Sequence, residues 1–150
     1  MARSMIGNYN HNIDAKGRVI IPAKLRDSLG RQFVMTIGFE ECIYLYSLDE
    51  WDKLAEKLRA LGNKKDLARN IKRLFQANAC DSEFDSQGRT LIPQNFREEL
   101  GLDREVVIVG NGEKAEIWNK ETWNKTFSKP ELSKENIKKL LEESDFDIDF

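Results

Sequence analysis

The spacing of apolar residues changes along this chain, and each change marks a new element. Residues 9–13 read as a short strand, and Val19-Ile20-Ile21 is a β-branched apolar run that predicts a buried one. Between them lies an Ala15-Lys16-Gly17 turn, with Gly17 supplying a positive φ. Pro22 ends the second strand and suits the first position of a helix, where its missing N–H costs nothing. That helix covers residues 24–29, and Gly30 closes it. Residues 33–37 and 42–46 predict a hairpin. The period then lengthens to three and four. Leu48, Trp51, Leu54, Ala55, Leu58 and Leu61 mark one buried helical face. Ser47-Leu-Asp-Glu50 has the form of a capping box at its start, and Gly62-Asn63 stops it. A second helix over residues 65–77 buries Leu67, Ile71, Leu74 and Phe75, so the two form a helical hairpin.

The second half repeats the plan of the first. A strand over residues 80–84 leads to a Ser86-Gln87-Gly88 turn, and Thr90-Leu91-Ile92 is the next strand. Pro93 opens a short helix that ends at Gly101. Residues 105–109 and 114–118 form a hairpin around Asn111-Gly112. Trp123 and Phe127 belong to a closing helix, and Ser133 caps a further helix within residues 129–143. The last residues, Asp145 to Phe150, alternate acidic and apolar side chains and read as a mobile tail.

The repetition is explicit. Asp14-Ala-Lys-Gly-Arg-Val-Ile-Ile-Pro22 returns as Asp85-Ser-Gln-Gly-Arg-Thr-Leu-Ile-Pro93, an offset of 71 residues from Asp14 to Asp85. The match continues through Arg26 and Arg97, Leu29 and Leu100, and Gly30 and Gly101. Two copies are too few for a solenoid. They predict two halves of one pseudo-symmetric unit, each burying the other's apolar face. With 150 residues and 40% hydrophobic content, the chain makes one domain or two very small ones.

The net charge of −2 argues against a uniformly basic nucleic-acid binder, but the charge is unevenly placed. Residues 1–31 carry Arg3, Lys16, Arg18, Lys24, Arg26 and Arg31 against only Asp14 and Asp27. Residues 128–150 carry four lysines against seven carboxylates. A basic working face and an acidic tail follow. No apolar run is long enough to span a bilayer, and residues 1–7 show no secretory segment, which points to the cytoplasm. Residues 1–4 read as an extension. Cys42 and Cys80 lack a C-x-x-C partner and are expected to be buried and reduced. His11 is the only histidine, so neither a metal site nor a cofactor is expected.

Two copies of D-x-x-G-R-x-x-x-P separated by a helical hairpin resemble the MraZ family of bacterial transcriptional regulators. The approach Met5-Ile-Gly-Asn-Tyr-Asn-His-Asn-Ile-Asp14 resembles the usual start of that family, and the likeness covers residues 5–127. The resemblance implies an α+β, mainly β fold of the AbrB/MazE-like type. In it two β-α-β-β halves interleave as a swapped-hairpin barrel, here duplicated within one chain. It assigns residues 5–78 to the first half plus the helical hairpin, 79–127 to the second half, and 128–150 to a C-terminal helix and acidic tail. It also implies a ring-shaped homo-oligomer associated with the nucleoid. This oligomer would regulate the operon of cell-division and cell-wall genes that includes its own.

The residues themselves point the same way. A tight turn places Arg18 and Arg89 at hairpin tips, and arginine is the best single residue for gripping phosphate or for a bidentate bond to guanine. Gly17 and Gly88 let the backbone approach a phosphodiester. Lys16 adds a charge beside Arg18, whereas Gln87 in the second copy can pair with adenine but cannot neutralise phosphate, so the first tip is the more electrostatic. These six residues are the expected DNA contacts. Asp14 and Asp85 accept turn amides or orient the arginine, and Pro22 and Pro93 complete the motif. Lys24 and Arg26 form a solvated helix face or add DNA contacts. Lys64, Lys65, Arg69, Lys72 and Arg73 form a basic stripe, either solvated or in contact with a subunit or flanking phosphate. Trp51, Trp118 and Trp123 are expected in the core.

Three classes of function are open to such a chain. The first is a promoter-binding repressor, acting on short direct repeats of double-stranded DNA as an oligomer. The second is an antitoxin-like interaction module. The third is an enzyme, which the absence of any catalytic constellation disfavours. Neither a membrane partner nor a small-molecule substrate is implied.

Overall fold

The computed structural model describes residues 3–150, so Met1 and Ala2 of the expected extension lie outside the described residues. The chain divides into two units, the first running to Lys120 and the second from Glu121 to Phe150.

The first unit opens with β1 (Asn8–Asn12), β2 (Arg18–Ile20), α1 (Ala23–Leu29), β3 (Gln32–Ile37) and β4 (Cys42–Ser47). Two longer helices follow, α2 (Leu48–Ala60) and α3 (Asp66–Ala77). The second copy supplies β5 (Cys80–Glu83), β6 (Arg89–Leu91), α4 (Gln94–Leu100), β7 (Glu105–Asn111) and β8 (Lys114–Asn119). The bounds agree with the sequence pattern to within a residue or two.

The strands form a six-stranded antiparallel sheet in the order β1-β7-β8-β4-β3-β5, and a separate two-stranded ribbon of β2 and β6. The order is a palindrome under the repeat. β1 of the first copy pairs with β7 of the second, and β5 of the second pairs with β3 of the first. β4 meets its counterpart β8 at the centre, and β2 meets its counterpart β6. Neither half could complete its sheet alone. No closed barrel is seen among the described residues. The sheet ends at β1 and β5, whose sequences NYNHN and CDSE alternate in exposure and carry few apolar side chains to bury against further strands.

The core lies between the sheet and the ribbon with its short helices. Phe33, Met35, Ile43, Leu45, Ile108 and Ile117 face Val19, Ile21, Leu25, Ile92 and Phe96. α2 and α3 cover the far side of β3 and β4, where Thr36 Oγ1 donates to the Phe75 carbonyl at 2.6 Å.

Several expectations change. Ile20, placed in a buried strand, is exposed, because the ribbon turns only Val19 and Thr90 inward. Leu48, Leu61 and Leu67 are also exposed. Ala68 is buried in place of Leu67, so the inner stripe of α3 is narrower than the apolar count suggests. Pro22 and Pro93 stand at the N-caps rather than the first helical positions. Half of the capping box forms: Ser47 Oγ accepts from Glu50 N–H at 3.2 Å, while the Glu50 carboxylate pairs with Lys53. The β7–β8 turn centres on Gly112-Glu113, with Gly112 at φ 73° in the first central position that favours glycine. Trp118 is buried, and its Nε1 donates to buried Glu116 at 2.9 Å. Trp51 is only half-buried, beside Tyr46.

The second unit contains α5 (Lys120–Phe127, which starts at the boundary), a 3-10 turn (Pro130–Leu132) and α6 (Lys134–Glu142). Half-buried Trp123 packs on Phe127 with ring centroids 4.1 Å apart. Ser133 caps α6 by accepting from Asn136 N–H. Residues 143–150 form no helix or strand. Among the described residues no helix is long and apolar enough to cross a membrane.

Candidate nucleic-acid interface

The two motif copies build the same turn twice. Asp14 N–H donates to the Arg18 carbonyl, and Gly17 N–H donates back to the Asp14 carbonyl, closing a three-residue loop. Gly17 sits at φ 83° and Gly88 at φ 77°, a conformation that penalises any side chain. Asp14 Oδ1 accepts the Lys16 and Arg18 amides at 2.9 Å each, and its Oδ2 accepts Arg18 Nε at 2.9 Å. Asp85 does the same for the Gln87 and Arg89 amides, with Arg89 Nε at 2.7 Å. One carboxylate thus ties down the turn and aims the arginine.

Both carboxyls are held below the usual range, first by the arginine backbone N–H, then by the guanidinium and the second turn amide. They stay ionised at any physiological pH. Only Nε of each arginine is engaged by the aspartate. Nη1 and Nη2 make no hydrogen bond among the described residues, leaving the remaining donors of each planar fork unengaged.

The ribbon brings the two forks together. Arg18 pairs in register with Leu91, Val19 with Thr90, and Ile20 with Arg89. Side chains two apart share a face, so Arg18, Ile20, Arg89 and Leu91 form one outer surface. Exposed Lys16 and Gln87 stand beside the arginines at the two tips.

The glycines have a second duty. Gly17 and Gly88 are buried, and the space beside each holds an arginine of the other half. A methyl on Gly17 would come within 2.7 Å of Arg97 Cζ, and one on Gly88 would collide with Arg26 Nη1. Arg26 Nη1 donates to the Ile21 carbonyl at 2.8 Å, and Arg97 Nε to the Ile92 carbonyl at 3.0 Å. Ile21 N–H in turn donates to the Gly88 carbonyl, and Ile92 N–H to the Gly17 carbonyl. Each Gly-Arg turn is therefore clamped to the opposite half. Pro22 and Pro93 matter because they start the short helices that carry Arg26 and Arg97 back to this joint. The matched Pro22/Arg26 and Pro93/Arg97 spacing was the sequence signal for it.

The remaining candidates are dispersed. Lys24 is exposed on α1. On α3, Arg69 pairs with Asp66, Lys72 reaches Asn63 Oδ1, and Arg73 reaches Asn70 Oδ1. The basic stripe is thus tied largely to its own helix and the loop before it. Cys42 is buried and Cys80 half-buried, both as free thiols. Burial pushes both thiols up, leaving them poor nucleophiles. Among the described residues no cluster of histidine, cysteine and carboxylate side chains could hold a metal ion.

The duplication itself is matched by a family model, that of the MraZ protein, described as a candidate antitoxin-like protein. It fits twice, over residues 5–74 and 75–143. This chain belongs to the MraZ family. A protein of Lachnoclostridium phytofermentans named transcriptional regulator MraZ is 51% identical over 118 residues, covering 79% of this chain and 83% of that one. Proteins of the same name from Thermoanaerobacter sp. and Caldicellulosiruptor bescii are 44% and 45% identical over 139 residues. Each comparison covers 93% of this chain and 97% of the relative. The MraZ relatives are thus named as regulators of transcription, not as enzymes.

Proposed function

We propose that this chain is a sequence-specific DNA-binding transcriptional regulator whose contact surface is the outer face of the β2–β6 ribbon. The supporting observation is the pair of arginine forks, each held by its own aspartate, on one surface of a two-stranded ribbon. Such a ribbon fits the major groove, where an arginine fork can bond guanine O6 and N7. Lys16 supplies phosphate contact at one tip and Gln87 a neutral donor and acceptor at the other. Gly17 and Gly88 act by shaping the turns, Lys24 is placed to add a flanking phosphate contact, and Arg26 serves the joint.

The cross-copy strand pairing supports reading the fold as an AbrB-like swapped-hairpin arrangement. In this reading the first half comprises residues 5–78, the second half 79–127, and the tail 128–150. One protomer presents few base-reading groups, so the regulator works as a homo-oligomer, a ring in this reading. Linking several protomers raises avidity by about 10²–10⁴ without new kinds of contact. Its sites are short direct repeats about 10 bp apart, which show successive protomers the same groove face. Occupying a promoter of the cell-division and cell-wall operon that includes its own gene represses that operon, at the nucleoid.

The test is a mobility shift with DNA from immediately upstream of the gene, beside a scrambled fragment, at two salt concentrations. The expected result is a preference for the upstream fragment and a steep loss of affinity with salt. Equal binding to both fragments, or to neither, would overturn the reading. The second of these outcomes would favour the antitoxin-like interaction module that the family description names.

A further inference from the structure

The ribbon's outer face holds more than arginine. Ile20 is 44% exposed and Leu91 57% exposed, although both lie in regular strands. Each stands directly across from an arginine of the other strand, Ile20 opposite Arg89 and Leu91 opposite Arg18. The surface is therefore a diamond with the arginines at two opposite corners and the aliphatic side chains at the other two. The repeat keeps an aliphatic residue at both corners, while the inward position between them changes from Val19 to Thr90. Leaving two large aliphatic side chains in water between fixed cations stabilises nothing in the protein alone.

We propose that Ile20 and Leu91 are specificity-determining contacts that recognise the C5-methyl groups of thymines in the major groove. The inference rests on the DNA-binding reading above and deepens it. In the major groove the thymine methyl is the apolar feature of the base-pair edges, and guanine offers the acceptors an arginine fork prefers. A face alternating forks and aliphatic side chains is the complement of a groove alternating guanine acceptors and thymine methyls. Paired residues across the ribbon stand about 5 Å apart, and residues two apart on a strand about 7 Å. Each aliphatic side chain thus reaches a base one or two steps from the guanine its neighbouring arginine holds. Flanking charge brings any DNA to this face, and the methyl contacts help select the sequence.

The experiment uses the full chain and the upstream fragment, prepared once with thymine and once with uracil in every thymine position. Uracil keeps the base-pairing edge and removes only the methyl. Wild type is expected to bind the uracil fragment about fourfold more weakly for each methyl buried. The Ile20→Ala/Leu91→Ala double variant should bind the thymine fragment as weakly as wild type binds the uracil fragment. It should show no further loss on uracil. Ile20→Val, which keeps an aliphatic side chain, should retain the thymine preference. Equal wild-type affinity for the two fragments would overturn this inference while leaving the DNA-binding reading intact. So would a double variant that keeps the full thymine preference. A wild type that shifts neither fragment would overturn both. Equal wild-type affinity for the two fragments refutes the inference even if a variant folds poorly.

Discussion

Arg18→Ala is expected to abolish specific DNA binding while leaving a folded protein. A good bidentate pair to a base contributes roughly 1–3 kcal/mol of discrimination, a loss of about 5- to 150-fold for each protomer engaged. Protomers linked on repeated sites compound that loss, so the shifted band should vanish over the range where wild type saturates. The fold should survive. Arg18's side chain is 29% exposed, and its aspartate still accepts the Lys16 and position-18 amides after truncation. A solvent-screened ion pair of this kind contributes little to folding stability. Arg89→Ala should cost a similar amount in specificity. Lys16→Gln, which makes the first tip like the second, should instead lower the salt slope by about one for each protomer engaged, with sequence preference kept. A folded Arg18→Ala protein that binds the upstream fragment as wild type does would remove this side chain from the interface.

The second large effect is structural. Gly88→Ala is expected to destabilise the first unit by about 2–4 kcal/mol. It forces a side chain into φ 77° and pushes Arg26 from its bond to the Ile21 carbonyl. Urea unfolding should show a lower midpoint with an unchanged slope. Adding Arg26→Ala removes the collision but not the backbone strain, so the double variant should lose less than the sum of the two single changes. Gly17→Ala should follow the same pattern with a smaller loss, since Arg97 approaches less closely than Arg26 does. A Gly88→Ala midpoint equal to that of wild type would mean that the turn is not clamped.

Much of this was legible in the chain because local chemistry and repetition agreed. The Gly-Arg turn needs its glycine, the proline needs the strand to stop, and seeing both twice fixes two equivalent halves. What escaped was whatever depends on how the halves interlock. Val19-Ile20-Ile21 reads as uniformly buried, yet a two-stranded ribbon has one inner face only, so Ile20 is turned to solvent. Leu67 matches the helical period but lies past the edge of the narrow stripe that meets the sheet, and Ala68 takes the buried place. The resemblance implies a swapped-hairpin barrel, and among the described residues no closed barrel is seen: the six-stranded sheet ends at β1 and β5, which carry few apolar residues. Arg26 reads from the sequence as a surface or DNA-facing residue, because an arginine packed on a distant glycine leaves no local mark. Only its recurrence as Arg97 at the same place in the second copy hinted at the joint.

The central claim is that the paired arginine tips read guanines in the major groove. Methylation interference on the upstream fragment tests it most directly, since dimethyl sulfate marks guanine N7 in the major groove and adenine N3 in the minor groove. The account predicts that methylation of a few guanines recurring about every 10 bp blocks wild-type binding, while adenine methylation has little effect. Interference at adenines alone, or at no base while the fragment still shifts, would contradict it.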